Sequence, residues 1–366
     1  MIHRTIFLIS FSLLFFGKGI FAQNKDSSAF KIGGYLDAYY ARYSDSAGAN
    51  KFQQFPVISP RSNTFGLNIV QITAQYSSKK IRALATLHYG DIPASAWSPV
   101  FNMVQEAYVG IRISKSMWLD AGFFKTHIGT EALLPKDNIA SSLSIITFYE
   151  PWFQSGIKWS WSPTNKILIC LHVLNGYNTF VDNNGTKSVG VTFNYMLGDK
   201  GSIGYYNLLG DETADSIHRP HLRFLQNAVF TYQLTPALKI LIGGDIISQQ
   251  KSVITDSLQA AFIYGGIATL QYQVKPTFAV YARGEFFRDE NGFLTGIIID
   301  ALNKPTGFKL WGCTAGLEYK PSANSYLRLE ARQLEMDKYQ KIFRWYNNNG
   351  HVNRRIEIML HTGISF

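Results

Sequence analysis

From residue 30 to residue 366 the chain alternates apolar and polar residues with a period of two, and no other feature restricts its fold as tightly. Near the C-terminus Ile356, Ile358, Leu360, Thr362, Ile364 and Phe366 fall on one face of an extended segment, and Arg355, Glu357, Met359, His361, Gly363 and Ser365 on the other. Segment 324–335 does the same, with Leu327, Leu329 and Ala331 opposing Arg328, Glu330 and Arg332. The alternation predicts sixteen strands, at about 30–43, 62–77, 80–90, 101–113, 117–125, 152–162, 167–175, 187–197, 201–210, 223–235, 238–249, 261–274, 277–288, 309–320, 324–335 and 354–366.

The connections alternate between short and long. Short ones include Ser77-Ser-Lys-Lys80, Ser114-Lys-Ser116 and Pro236-Ala237, whereas the long ones run over 44–61, 91–100, 126–151, 176–186, 211–222, 250–260, 289–308 and 336–353. Seven tight turns and eight loops put both ends of the strand series on the short-turn side. A soluble sandwich has no reason to sort its connections this way. A membrane barrel does, because closure satisfies every backbone group and leaves no edge in the lipid. The expectation is therefore an all-β, antiparallel up-and-down transmembrane barrel, forming one domain over residues 23–366.

Composition agrees where it bears on that choice. Charged residues are 16% of the chain and aromatics 14%, against about 25% charged in an average soluble protein. Beyond residue 22 no apolar run approaches the roughly 20 residues of a membrane helix. Aromatics gather at strand ends, as in Tyr149, Trp152, Phe153, Trp159 and Trp161, which suits an interfacial girdle. Residues 1–22 read as a signal peptide: Arg4 precedes the apolar stretch Ile6 to Phe16, and cleavage is expected after Ala22. Without Arg4 and Lys18 the chain keeps 33 basic against 25 acidic residues. The basic ones are scattered through turns rather than clustered, which argues against a nucleic-acid partner. Cys170 and Cys313 each sit inside a strand pattern and carry no redox implication.

Two segments carry a resemblance to a known family. They are Gln105-Glu-Ala-Tyr-Val-Gly-Ile-Arg with Trp118-Leu-Asp-Ala-Gly-Phe-Phe-Lys-Thr-His-Ile-Gly129, and Val173-Leu-Asn-Gly-Tyr-Asn178 ahead of Asp182-Asn-Asn-Gly185. Together with the barrel pattern they resemble the bacterial outer-membrane β-barrel porin family of type 2 (OmpL-like), over most of the chain. The resemblance implies outer-membrane location and passive transport of small hydrophilic solutes. It supplies no cofactor, metal or catalytic residue to carry over. An amphipathic last strand ending in Phe366 resembles the signal read by the barrel-assembly machinery; porins of this size are often trimers, and a monomer is the alternative for this family.

If the apolar faces meet lipid, phase sends Arg82, Glu106, Arg112, Asp120, Lys158, Asp245, Arg283, Glu285, Glu318, Arg328, Glu330, Arg332, Arg355 and Glu357 inward. An Arg or Lys on the lipid face at mid-depth would cost about 2–4 kcal/mol. These fourteen are the expected pore lining. Arg283, Arg328, Arg332 and Arg355 would either form a basic wall that selects ions or pair with neighbouring carboxylates across strands. The loop 126–151 is the longest; in general porins the third outer loop narrows the channel, so Glu131, Lys136 and Asp137 are expected at a constriction. Three Asp-Ser pairs (Asp45-Ser46, Asp215-Ser216, Asp256-Ser257) in outer loops resemble an O-glycosylation acceptor, and Asp182-Asn-Asn-Gly185 and Asp289-Glu-Asn-Gly292 read as turns rather than calcium ligands. Two other classes stay in view. One is a non-conducting adhesion barrel whose outer loops bind surface partners, and the other a barrel hydrolase, for which no Ser-His-acid grouping is evident around His88, His172 or His361.

Overall fold

The structure, a computed structural model, describes residues 29–45, 47, 51–214, 221–345 and 350–366. The signal-peptide segment and the pair Asp215-Ser216 lie outside the described residues, as does Ser46. In chain order the barrel strands are β1 (Ala29–Tyr43), β2 (Thr64–Ser77), β3 (Ile81–Tyr89), β4 (Val104–Ser114), β5 (Met117–Lys125), β6 (Phe153–Trp161), β7 (Ile167–Leu174), β8 (Ser188–Met196) and β9 (Gly201–Asp211). They continue with β10 (Leu222–Gln233), β11 (Leu238–Gln249), β12 (Ala261–Lys275), β13 (Phe278–Arg288), β16 (Lys309–Tyr319), β17 (Ser325–Met336) and β20 (Arg354–Ser365). Two small hairpins lie within outer loops, β14 (Ile298–Ile299) with β15 (Pro305–Thr306) and β18 (Phe343–Arg344) with β19 (His351–Val352). Each barrel strand pairs antiparallel with the next, and β20 pairs back onto β1, so the sheet closes.

Burial follows the alternation that defined the strands. On β20, Arg355, Glu357, Met359 and His361 are buried while Ile356, Ile358, Leu360 and Ile364 are exposed. In a single-layer barrel the uncovered face is the outer one, so the greasy row faces outward and the polar row faces inward. Strand register is keyed by side chains as well as by the ladder. A Cβ on Gly316 would lie 2.2 Å from Cζ of Tyr281, and one on Gly363 would lie 2.5 Å from Cζ of Tyr326. Each ring occupies the notch its glycine leaves open.

The inner face departs from a polar lining toward the long-loop end. There Leu208, Leu225, Ile247, Ile263, Phe287, Leu310, Leu334 and Met336 are inward and buried. Loops fold in and cover them: Phe55 from the first loop, Ile128, Ile145 and Ile146 from the third, Phe308 from the seventh and Phe343 from β18. A fully buried side chain of this size contributes about 1.5–3 kcal/mol, so the outer half of the barrel is packed like a domain core. Two short helices sit in these loops, α1 (Asp91–Ala96) and α2 (Ile145–Tyr149), the second capped by Ser144, whose side chain accepts from the Thr147 N–H at 3.4 Å.

Candidate channel lining

The inward charges divide into two walls. On β13, β16, β17 and β20, Arg283, Glu285, Glu318, Arg328, Glu330, Arg332, Arg355 and Glu357 are all buried, none more than 7% exposed. All but Glu330 form ion pairs, in two groups, one running from Arg283 through Glu285, Arg332 and Glu357 to Arg355 and the other joining Arg328 to Glu318. Arg332 meets Glu285 at 2.8 Å and Glu357 at 3.4 Å, Arg328 meets Glu318 at 2.7 Å, and Arg355 meets Glu357 at 3.2 Å and Asp45 at 3.1 Å. The four arginines thus stand among carboxylates, and Arg355 also lies over the Tyr43 ring at 4.3 Å. A buried ion becomes affordable only when it is paired and its remaining donors are bonded.

The third loop, residues 126–152, covers this wall and completes its pairing. Glu131 reaches Arg283 at 2.8 Å, and the same guanidinium donates to the Ser142 carbonyl at 2.6 Å. Glu330 accepts the Ser141 and Ser142 N–H groups at 2.8 and 3.1 Å, and Glu285 accepts the Ile145 N–H at 2.9 Å. Arg328 donates to the carbonyls of Pro135 and Asn138 at 2.6 and 2.8 Å. Lys136 lies 4.8 Å from the Tyr35 ring centre, and burial lowers its pKa. Asp137 is half-buried in the 3-10 turn Pro135–Asp137, its N–H bonded to the Leu134 carbonyl at 3.0 Å.

At the far end of the same loop, Glu150 is sealed against β10 and β11. It accepts the Thr130 N–H at 3.1 Å and the Asn227 amide at 3.2 Å, and Asn227 also donates to Asp245. Burial, and then the neighbouring Asp245 carboxylate, hold the Glu150 carboxyl well above the usual carboxylate range. His127, at the start of the loop, stacks on His172 with ring centres 4.0 Å apart. Burial lowers the His127 pKa.

The opposite wall, β3 to β6, is arranged differently. Arg82 donates to Asp120 at 2.6 Å, Lys158 stands 3.6 Å from the same carboxylate, and Lys125 pairs with Glu106 at 3.4 Å. Among the described residues, no loop group bonds to Arg82, Asp120 or Lys158 as the third loop bonds to Arg283. The Arg82, Lys158, Lys125 and Glu106 side chains keep 30%, 23%, 18% and 13% of their surface, although Asp120 keeps none. Arg112 is exposed and lies over Trp118 at 4.8 Å.

Sequence reasoning missed one grouping. Ser59, His361 and Asp37 come together, with His361 Nε2 3.4 Å from Ser59 Oγ and Nδ1 3.3 Å from Asp37 Oδ1. Asn68 donates to both Asp37 and Ser59, at 2.7 and 3.0 Å, and Ser59, His361 and Asp37 are all fully shielded from solvent. The contacts tie the first loop to the wall. Ser59 sits in a loop with no periodic pattern, so no signal in the sequence placed it beside a strand histidine. The two Asx-type runs are turns: Asp182 accepts the Asn184 N–H at 3.1 Å, and Asp289 accepts those of Phe293, Leu294 and Thr295 at 3.0–3.2 Å. Cys170 is buried and Cys313 is exposed on the outer face.

A family model described as "Putative beta-barrel porin-2, OmpL-like" matches residues 29–366. The chain belongs to this porin family. It is an outer-membrane porin, and solved porins share its architecture. The anion-selective porin from Comamonas acidovorans superposes with a TM-score of 0.62 at 10% identity, covering 93% of this chain and 100% of that one. The outer membrane channel DcaP of Acinetobacter baumannii gives 0.60 at 10% identity, with coverages of 94% and 99%. OmpT of Vibrio cholerae in its trimer form gives 0.59 at 8% identity, with coverages of 93% and 100%. At these identities the likeness is one of fold. No curated protein matches the chain in sequence.

Proposed function

We propose that this porin passes small hydrophilic solutes by passive diffusion, along the side of the lumen bounded by β3 to β6, with the third loop as a fixed constriction. The observation that carries the reading is the difference in exposure between the walls. Arg82, Lys158, Lys125, Glu106 and Arg112 remain in contact with solvent, whereas the charges of β13 to β20 are buried beneath the third loop and, at Arg355, beneath the first loop and β18. On this reading the fourteen inward residues split into those that line the passage and those that hold the loop. Glu131, Lys136 and Asp137 belong to the constriction. The reading assigns no chemical step and no cofactor. Outer-membrane lipid meets the apolar rows, Phe366 serves as the assembly signal, and the chain associates with further copies of itself.

Single-channel recording on the refolded mature protein tests this. Steps of stable conductance are expected, and deletion of 131–145 is expected to enlarge them. Unchanged conductance in the deletion variant would remove the loop from its constricting role.

A second reading has its own support. The apolar packing of Phe55, Ile145, Phe308 and Phe343 fills the outer half of the barrel, as a non-conducting adhesion barrel would require. Correctly folded protein that stays silent in the bilayer would favour it.

A further inference from the structure

The open wall carries a charge imbalance that the sealed wall lacks. Arg82, Arg112 and Lys158 are three cations on neighbouring inward positions of β3, β4 and β6, and Asp120 is the carboxylate in direct reach. Asp120 is fully buried and already bonded to Arg82, so it neutralises about one of the three. The nearby Lys125–Glu106 pair is internally balanced. Arg112 makes no ion pair among the described residues, and its guanidinium presents its donors to solvent at the short-turn end of the lumen.

These cations are held in place by aromatic faces. Arg82 and Arg112 lie 4.5 and 4.8 Å from the Trp118 ring, and Lys158 lies 4.6 Å from that of Phe124 and 5.1 Å from that of Tyr108. Such stacking restricts a long side chain without consuming its hydrogen-bond donors. Gly110 keeps the space clear, since a Cβ there would lie 2.1 Å from Asp120 Oδ1 and 3.0 Å from Arg82 Cγ. Arg112 and Arg82 differ in height by two strand positions, or about 7 Å. The three form a short basic ladder rather than a point.

We infer that Arg112, Arg82 and Lys158, arrayed around Trp118, Tyr108 and Phe124, are the selecting site of this channel, and that it takes small anions, inorganic or carboxylate. The inference rests on the proposed open passage along this wall. A permeating anion meets guanidinium donors whose fork matches a carboxylate, while a cation meets uncompensated positive charge.

The test uses the refolded mature chain in planar bilayers, with reversal potentials in a potassium chloride gradient and then in potassium acetate. The expected sign is that of anion preference in both salts. Arg112→Gln, at the exposed rim, and Lys158→Gln are each expected to lower the anion-to-cation permeability ratio about twofold, the effect of one charge acting at some 8 Å through water. A cation-preferring wild type, or a ratio unchanged in the double variant with its barrel still folded, overturns the inference alone. Silence of the folded wild type overturns the open passage and the inference with it.

Discussion

The two walls of the lumen use the same residue types to opposite ends. On β13 to β20, arginines and glutamates are packed under inward-folded loops: Arg283, Arg328 and Arg332 donate to carboxylates or loop carbonyls, and Arg355 stands by Glu357 and Asp45 without a hydrogen bond. On β3 to β6, Arg82, Lys158 and Arg112 rest on aromatic rings and keep water on one side. Charge alone therefore does not make a pore lining. What decides is whether a loop descends to take the remaining hydrogen bonds. Where it does, charges become mortar; where it does not, they stay available to a solute.

The comparison breaks most sharply at Glu285. Glu285→Ala removes a partner of both Arg332 and Arg283 and the acceptor of the Ile145 N–H. The buried network is left with one positive charge in excess, although Arg332 keeps Glu357 and Arg283 keeps Glu131, and this should cost about 3–5 kcal/mol, read from denaturant unfolding in micelles; a loss below 1 kcal/mol would show this wall to be wetter than described. Asp120→Asn on the open wall should cost about 1–3 kcal/mol, since one buried acceptor site changes while water still reaches Arg82 and Lys158. The same variant should shift the reversal potential further toward anion preference, and a shift the other way would reverse the reading of that wall.

Glu150→Gln gives a smaller effect with a pH signature. Because burial raises the Glu150 pKa, the folded state keeps a proton that the unfolded chain releases near its ordinary value of about 4.3. The stabilisation is therefore complete below that value and is lost as pH rises through the raised one. Glutamine keeps the acceptor for Thr130 and cannot lose a proton, so the thermal midpoints of variant and wild type should diverge as pH rises from about 4. Parallel midpoint curves would rule out a buried titration there. Smallest of all, Glu106→Ala on the partly exposed Lys125 pair should cost about 1 kcal/mol, and a loss matching that of Glu285→Ala would erase the distinction between the walls.

The barrel was legible because alternation is a local property. Ile356 and Arg355 announce their faces without reference to any other strand, and strand bounds in the structure fall within three residues of those expected. Turn parity added closure. The loop contacts were illegible for the complementary reason: Glu330 meets Ser141 189 positions away, and Ser59 meets His361 302 positions away. No short-range pattern encodes either. Inward Leu225 and Ile247 also break the polar-lining rule, since apolar residues there answer to loops rather than to water. The inward charges could be named from phase, but phase carries no information about which of them a loop will cover.

Closure of β20 onto β1 has a consequence for how such a molecule is made. Tyr35 and Tyr326 bond at 2.6 Å across 291 positions of sequence, and the Gly34 N–H bonds to the Phe366 carbonyl at 2.8 Å. A chain delivered from its N-terminus presents β1 first and its closing partner last. During that interval β1 offers an unpaired edge of fifteen residues, the kind of surface on which aggregates grow. That edge stays open until the final strand arrives, and the time spent waiting grows with every residue inserted into an outer loop.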